Sequence, residues 1–338
     1  MVNNNPISLI NENTGDPGEW NNDYLLAPMA PIMPTSVNPV EAPILSVLIV
    51  NYNAGDLLSK AVGAVLNSPL PLEVLISDNG SLDTSLTTLE TQHGSDQRLR
   101  IQRNQANLGF AAGHNQVLPW ARGSYLLFLN PDCIVSRETL ARLIDFMAAT
   151  PQAGMAGCII RNPDGSEQKA SRRRIPDPWV GLVRFLHLNK LMPSLTVGKR
   201  LNLNDQPLPD SPLAVEAISG SLMLVRRQAL VEVGPLDNGY FLHCEDLDWF
   251  MRFRRAGWQI YLVPGADARH HQGACSVNLP LAVEWHKHKG MARFYRKFQF
   301  NDFPLPFSLL VLLGIWIHFG VFLLAQGWHR LLTLRDRG

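Results

Sequence analysis

No two cysteines in this sequence form a CxxC, and the four present, Cys133, Cys158, Cys244 and Cys275, lie far apart. That spacing indicates neither a thiolate zinc site nor a disulfide framework, and the expectation is buried free thiols in a reducing compartment. An excess of one charge is missing too: 30 Lys and Arg against 29 Asp and Glu give a formal net charge of +1. Such a balance does not attract phosphate backbones over a broad surface, so no nucleic-acid partner is expected. Three signatures are absent: a GxGxxG after the first apolar run, a GxxxxGK[ST], and a GxSxG. Without them there is no support for a dinucleotide fold, a phosphate-loop nucleotidase or a serine-hydrolase elbow. The opening segment has no Lys or Arg ahead of an apolar core, unlike a secretory signal. Residues 1–43 read instead as an irregular tail, interrupted by Pro28, Pro31, Pro34, Pro39 and Pro43.

At its far end the chain carries a run over 304–328 with no Asp, Glu, Lys or Arg. It is long enough to cross a bilayer as one helix and apolar all round, which predicts membrane insertion, spanning or re-entrant. Ser308, His318 and Gln326 are its polar exceptions. Just before it, 281–300 sets Lys287, Lys289, Arg293, Arg296 and Lys297 against Glu284 alone, interleaved with Trp285, Phe294, Tyr295, Phe298 and Phe300. Beside a membrane helix, that composition suits a segment lying among anionic headgroups. The predicted plan is a tail at 1–43, a globular domain at 44–278 and a membrane-directed segment at 279–338.

Within the domain, 45–50 (LSVLIV), 72–76 and 125–129 are apolar runs typical of strands covered on both faces, with a shorter strand near 99–103. Helical spacing fills 56–66, 82–93 and about 111–121 between them. This alternation predicts an α/β fold on a parallel sheet. The apolar strands end in polar clusters at 51–53, 78–81 and 130–132. Ligands of open parallel sheets gather at such ends, so three of them imply a shared pocket. Gly109 and Gly113 either let the backbone pass close to a ligand or serve a turn and helix start.

Asp78 is placed to accept hydrogen bonds from a base or ribose. Asp132, approached through Pro131, suits a hard cation such as Mg2+ or Mn2+ that takes its other ligands from phosphates and water. Such an ion neutralises charge developing on a diphosphate leaving group. A denser cluster, Glu245, Asp246 and Asp248, opens a helical pattern. Acids are favourable in any first turn, but that does not explain His243 and Cys244 ahead of them, or His270 and His271 after a strand over 259–263. A carboxylate here, its proton affinity raised by its neighbours, can take a proton from a hydroxyl acceptor, and an imidazole can supplement a metal shell. Ser219-Gly220-Ser221 interrupts a strand over 215–225 and leaves room for a bound group. Arg172, Arg173 and Arg174, inside the irregular 161–212 stretch, face either a diphosphate, a lipid-linked acceptor or solvent.

Taken in order, SVLIVNYNAG, SDNGS, NLGFAAGHN, LFLNPDC, ISGSLMLVRR and EDLDWFMRFRRAGW resemble the family 2 glycosyltransferases of GT-A fold, especially the bacterial rhamnosyltransferase-like branch that builds cell-surface polysaccharide. The resemblance implies a GT-A nucleotide-sugar-binding fold with a mixed, mainly parallel sheet. It implies that Asn51 and Asn53 line the nucleotide region, with Asp78 on a uracil or thymine base and its ribose. Gly109, Gly113, Asn115, Asn130 and Gly220 would line the nucleotide-sugar pocket. Asp132 matches the last acid of the metal-binding Asp-x-Asp motif, whose first acid is Asn130 here, and His270 matches the histidine near diphosphate and metal, with His271 its rival. Asp246 matches the catalytic base, with Glu245 as the fallback and Asp248 and Arg252 in support. The implied reaction is an inverting transfer from dTDP-L-rhamnose, or another UDP- or dTDP-hexose, to a glycan or polyprenyl-diphosphate-linked acceptor at the cytoplasmic face of a bacterial inner membrane. A catalytically silent scaffold of the same fold is the alternative.

Overall fold

The computed structural model describes residues 42–185, 201–204, 206–271, 273 and 280–335; the predicted tail as far as residue 41 and Cys275 lie outside the described residues. The first half alternates strand and helix: β1 (Leu45–Asn51), α1 (Asp56–Leu66), β2 (Leu72–Asp78), α2 (Ser85–His93), β3 (Leu99–Arg103), α3 (Phe110–Val117) and β4 (Tyr125–Leu129). Every residue of β1, β2 and β4 is buried, as continuous apolar runs must be when helices cover both faces. These strands are parallel, β1 lying between β2 and β4 with β3 outside β2.

After β4 come β5 (Cys133–Val135), α4 (Arg137–Ala149) and β6 (Ala153–Arg161). Ser136 caps α4, its hydroxyl accepting from Thr139 N. The chain continues through β7 (Arg172–Arg173), α5 (Pro178–Phe185), β8 (Leu213–Ala214), β9 (Ala217–Ile218), β10 (Leu222–Arg226), α6 (Arg227–Val233), α7 (Glu245–Arg255) and β11 (Gln259–His270). The main sheet runs β3-β2-β1-β4-β10-β6-β11-β5, with β8 on β11. It becomes mixed at β10, which is antiparallel to both β4 and β6. Apolar side chains of α1, α2 and α4 bury one face, and those of α3, α6 and α7 the other.

One strand is divided where the sequence interrupts it, and another outruns its pattern. The stretch 215–225 is divided at Ser219-Gly220-Ser221: β9 leaves to pair with β7 in a second small sheet, and β10 starts afresh. β11 runs past 263 because Pro264 and Gly265, the latter at φ 72°, form a bulge after which 267–269 rejoin β6 and 268–270 pair with β5. His270 thereby becomes the register partner of Cys133, next to Asp132.

The C-terminal segment is a helical hairpin of α8 (Pro280–Phe298) and α9 (Leu305–Arg335). Contacts between Tyr295 and Ser308, His288 and His318, and Trp285 and Phe319 show the two helices running in opposite directions. Of the five basic side chains predicted to face headgroups, three form ion pairs within the chain. Lys287 pairs with Glu284 at 3.0 Å, Arg293 with Asp237 at 2.9 Å, and Lys297 with Asp237 and Asp248 at 2.8 and 2.7 Å. Lys287, Lys289, Arg296 and Lys297 stay exposed, and Arg293 is half-buried. In α9, Leu305–Gln326 is 22 residues long and apolar enough to cross a membrane. Its most apolar stretch is only 6% buried by the protein, and Leu305, Leu309, Leu313, Ile317, Val321 and Leu324 form an exposed stripe along one side. A core helix would hide that stripe; this one presents it.

Candidate active site

β1 and β2 end in register at Asn51 and Asp78. Asn51 Nδ2 donates to Asp78 Oδ1 at 2.7 Å and to the Ser81 and Ser85 hydroxyls at 2.9 Å. Asn51 is wholly buried, so it braces Asp78 and the following loop from behind. Asn53, at φ 53°, accepts from Leu82 N at 2.8 Å through Oδ1, and its own N–H donates to Ser81 Oγ at 3.0 Å. The two asparagines thus shape the rim on which Asp78 stands.

The predicted glycine pair serves packing. A Cβ on Gly109 (φ 84°) would lie 2.4 Å from the Phe241 carbonyl oxygen, which accepts from Phe110 N at 2.8 Å. A Cβ on Gly113 would come within 2.9 Å of the Val50 methyls. Asn115 Nδ2 donates to Leu236 O at 2.8 Å and Asn238 Oδ1 at 2.6 Å. All three residues dock α3 against β1 and against the loop that leads into α7.

Asp132 and His270 come together at the junction of β4, β5 and β11. Gln168 holds the imidazole: its amide nitrogen donates to Asn162 Oδ1 at 3.0 Å and to the His270 carbonyl at 3.3 Å, leaving Oε1 to accept from His270 Nδ1 at 2.7 Å. Nδ1 therefore carries the proton, and in the neutral ring Nε2 presents a lone pair. Facing that lone pair are Asp132 Oδ1 at 3.1 Å and Asn130 Nδ2 at 3.2 Å, while Asn130 Oδ1 has no hydrogen-bond partner among the described residues. A lone pair against a carboxylate oxygen is repulsive unless a proton or cation lies between them. One carboxylate, one imidazole nitrogen and one amide oxygen fit Mg2+ or Mn2+ with the shell completed by phosphate and water. No group of three His, Cys, Asp or Glu side chains converges among the described residues, so an ion here would take most of its shell from outside the protein. His271 contributes its backbone, donating from N to Asp132 O at 3.0 Å.

Asn130 N donates to Ser221 O at 2.9 Å, and the preceding residue, Gly220, touches Asp246. A Cβ at position 220 would stand 2.8 Å from Asp246 Oδ2. The small residue therefore makes room for a protein carboxylate. Asp246 Oδ1 accepts from Leu247 N at 2.7 Å, and the Arg173 guanidinium donates to Oδ2. Glu245 beside it is buried, and burial, with the adjacent Asp246 charge, pushes its carboxyl up to about 8; its Oε2 has no partner among the described residues. Two consecutive left-handed residues, His243 (φ 69°) and Cys244 (φ 71°), precede this pair. Each costs of order 1–3 kcal/mol outside glycine, and the backbone of α8 holds them: a Cβ on Gly290 would lie 2.7 Å from His243 O. Asp248 faces away, wholly buried against Arg252 Nε and Lys297 Nζ, both at 2.7 Å. Arg252 also donates to Val233 O at 2.9 Å and Pro235 O at 2.7 Å, so this pair fastens α7 to its surroundings.

Gln168, Gly290 and the specific use of Arg173 were not legible in the sequence. The triple arginine was visible as a basic run, yet Arg172 turns inward to Glu167 at 2.9 Å while Arg173 meets Asp246.

A family model described as glycosyl transferase family 2 matches residues 46–230. The N-acetylglucosaminyl-diphospho-decaprenol L-rhamnosyltransferase of Mycobacterium tuberculosis is 30% identical over 244 residues, spanning 68% of this chain and 76% of that one. Rhamnosyltransferase WbbL of Escherichia coli is 30% identical over 155 residues, 45% of this chain and 53% of its own. Among solved structures, the mannosyltransferase PcManGT of Pyrobaculum calidifontis, in complex with GDP-Man and Mn2+, has a TM-score of 0.52 at 16% identity, covering 91% of this chain and 85% of that one. GalNAc-T7 with UDP, GalNAc and Mn2+ gives 0.51 at 18% identity, covering 68% and 44%. At these identities the structural likeness is one of fold.

Proposed function

The chain belongs to family 2 of the glycosyltransferases, and from that premise we propose that it moves L-rhamnose from dTDP-L-rhamnose to a glycan carried on a polyprenyl diphosphate, with inversion at the anomeric carbon. One observation carries this reading. Asp78, the Asp132–His270 pair and Asp246 all stand at the carboxyl edge of the parallel strands, the last two linked through Ser221 and Gly220. Donor base, diphosphate and acceptor hydroxyl need groups in that sequence.

In this reading Asp78 accepts hydrogen bonds from base and ribose. Asp132, His270 and Asn130 would hold Mg2+ or Mn2+, which when bound supplies Lewis-acid neutralisation of the departing diphosphate. Asp246 receives the proton of the acceptor hydroxyl as its oxygen bonds to the anomeric carbon and the bond to the diphosphate oxygen breaks. Before that step Arg173 shifts its hydrogen bonds from Asp246 to a phosphate, which frees Oδ2 to accept the proton. Glu245, its proton held by burial, avoids a second negative charge beside Asp246. The sugar and acceptor are assigned by analogy with the mycobacterial and E. coli rhamnosyltransferases named above.

The transferase domain is assigned to 44–278 and the membrane-directed segment to 279–338. Cys133, Cys158 and Cys244 are free and buried, in keeping with the cytoplasmic face of a bacterial inner membrane, and the exposed Lys287, Lys289, Arg296 and Lys297 are the groups assigned to anionic lipid. Mass detection of product across a panel of nucleotide-sugars tests the donor: turnover with dTDP-L-rhamnose is expected, and turnover with another hexose alone overturns that choice. In the same assay Asp246→Asn should lower kcat by roughly 10²-fold or more with donor binding intact; near-normal turnover would refute the base.

A further inference from the structure

Between α5, α7, α8 and α9 lies an apolar cavity of about 300 Å3, at the lower end of the roughly 300–1,000 Å3 of small-ligand pockets. Pro176, Leu247, Met291, Phe294, Val311 and Ile315 form much of its wall. Polar groups around it are turned onto one another. Tyr295 Oη donates to Ser308 Oγ at 3.0 Å, which donates to Phe300 O at 2.7 Å. Gln299 Nε2 donates to the Pro176 carbonyl at 2.8 Å, and His288 Nε2 shares a 2.9 Å hydrogen bond with His318 Nδ1. A polar ligand would find these groups committed, whereas a hydrocarbon chain leaves none of them unsatisfied.

The cavity joins two regions of different chemistry. On one side it reaches Cys244 and Leu247, which flank Glu245 and Asp246. On the other it is closed by α9, whose outward face carries the exposed stripe of Leu309, Leu313 and Ile317. A chain lying here has its head at the reacting carboxylate and its tail beside the surface offered to the bilayer. Arg173, on Asp246 Oδ2 and with a buried Nε lacking a partner among the described residues, supplies positive charge for a phosphate at the head.

We propose that this cavity is the subsite for the acceptor's lipid chain, taking the isoprenoid units next to the diphosphate. The proposal rests on the reading of the protein as a transferase to a lipid-linked acceptor. The test offers the full-length protein N-acetylglucosamine diphosphate bearing either a geranylgeranyl or an ethyl tail. The kcat/KM should be at least about tenfold higher with the long tail, and the long-to-short ratio should fall toward one in Ile315→Trp and Val311→Trp, which fill the cavity. Equal values for the two tails in the wild type, or a ratio unchanged in both variants, overturn the proposal while leaving the transferase reading intact. Independently of turnover and of variant folding, geranylgeranyl diphosphate with a terminal diazirine should label peptides of α7, α8 or the inner face of α9 in the wild type. Label confined to the outer stripe, or displaced by phosphatidylglycerol vesicles but not by unlabelled geranylgeranyl diphosphate, overturns it. If labelling maps to the cavity and neither acceptor is glycosylated, the subsite stands and the acceptor sugar is the part that fails.

Discussion

Gln168 illustrates how one side chain sets the chemistry of another. By accepting from His270 Nδ1 it decides which ring nitrogen faces Asp132, a role that supporting residues of metal-ligating histidines commonly fill. Gln168→Leu should weaken Mn2+-dependent donor binding by about 10–100-fold, read by calorimetry with and without the metal; unchanged metal dependence would show that the tautomer is set elsewhere. Glu245 makes a prediction about pH. Its ordinary value is 4.5 and in the fold it is raised to about 8, so as pH climbs through that interval the unfolded chain has released a proton that the folded one retains. Stability from this group is full below the lower value and declines until the upper. Denaturation in urea at about pH 5 and about pH 8 should show that decline in the wild type and a flatter profile in Glu245→Gln.

Among the elements, β1, β2 and β4 were plain in the sequence because a strand covered on both faces leaves an unbroken apolar run. The polar strand ends, Asp132 and the acid cluster of α7 were equally visible, since each interrupts a strong pattern. The extension of β11 was hidden: Pro264-Gly265 has the local chemistry of a turn, and only pairing with β6 and β5 on either side makes it a bulge. Arg173 and Gln168 sit where no periodicity operates, and their partners stand 73 and 102 residues away in sequence. Gly109 and Gly113 announced a close approach without revealing what approaches. Gly290 was lost in a helical pattern that tolerates alanine, although its missing Cβ lets α8 press on the strained turn before α7. Gly290→Val should cost about 1–3 kcal/mol by overpacking and depress kcat more than donor affinity; a Tm and kcat both equal to wild type would remove α8 from that role.

At the scale of the whole molecule, α9 is the proposed attachment to the bilayer. A chain ending at Asn301 should no longer float with liposomes in a density gradient, and full retention with lipid would mean that α9 is not the principal anchor. The same helix is tied through His318 to His288 of α8, two residues before the glycine that seats His243 and Cys244. If α9 is the anchor, one helix joins it to the backbone that leads into Glu245 and Asp246. A bilayer that fixed the apolar helix would thereby also fix the two left-handed residues ahead of the acid pair, so that anchor and site share one short path of contacts.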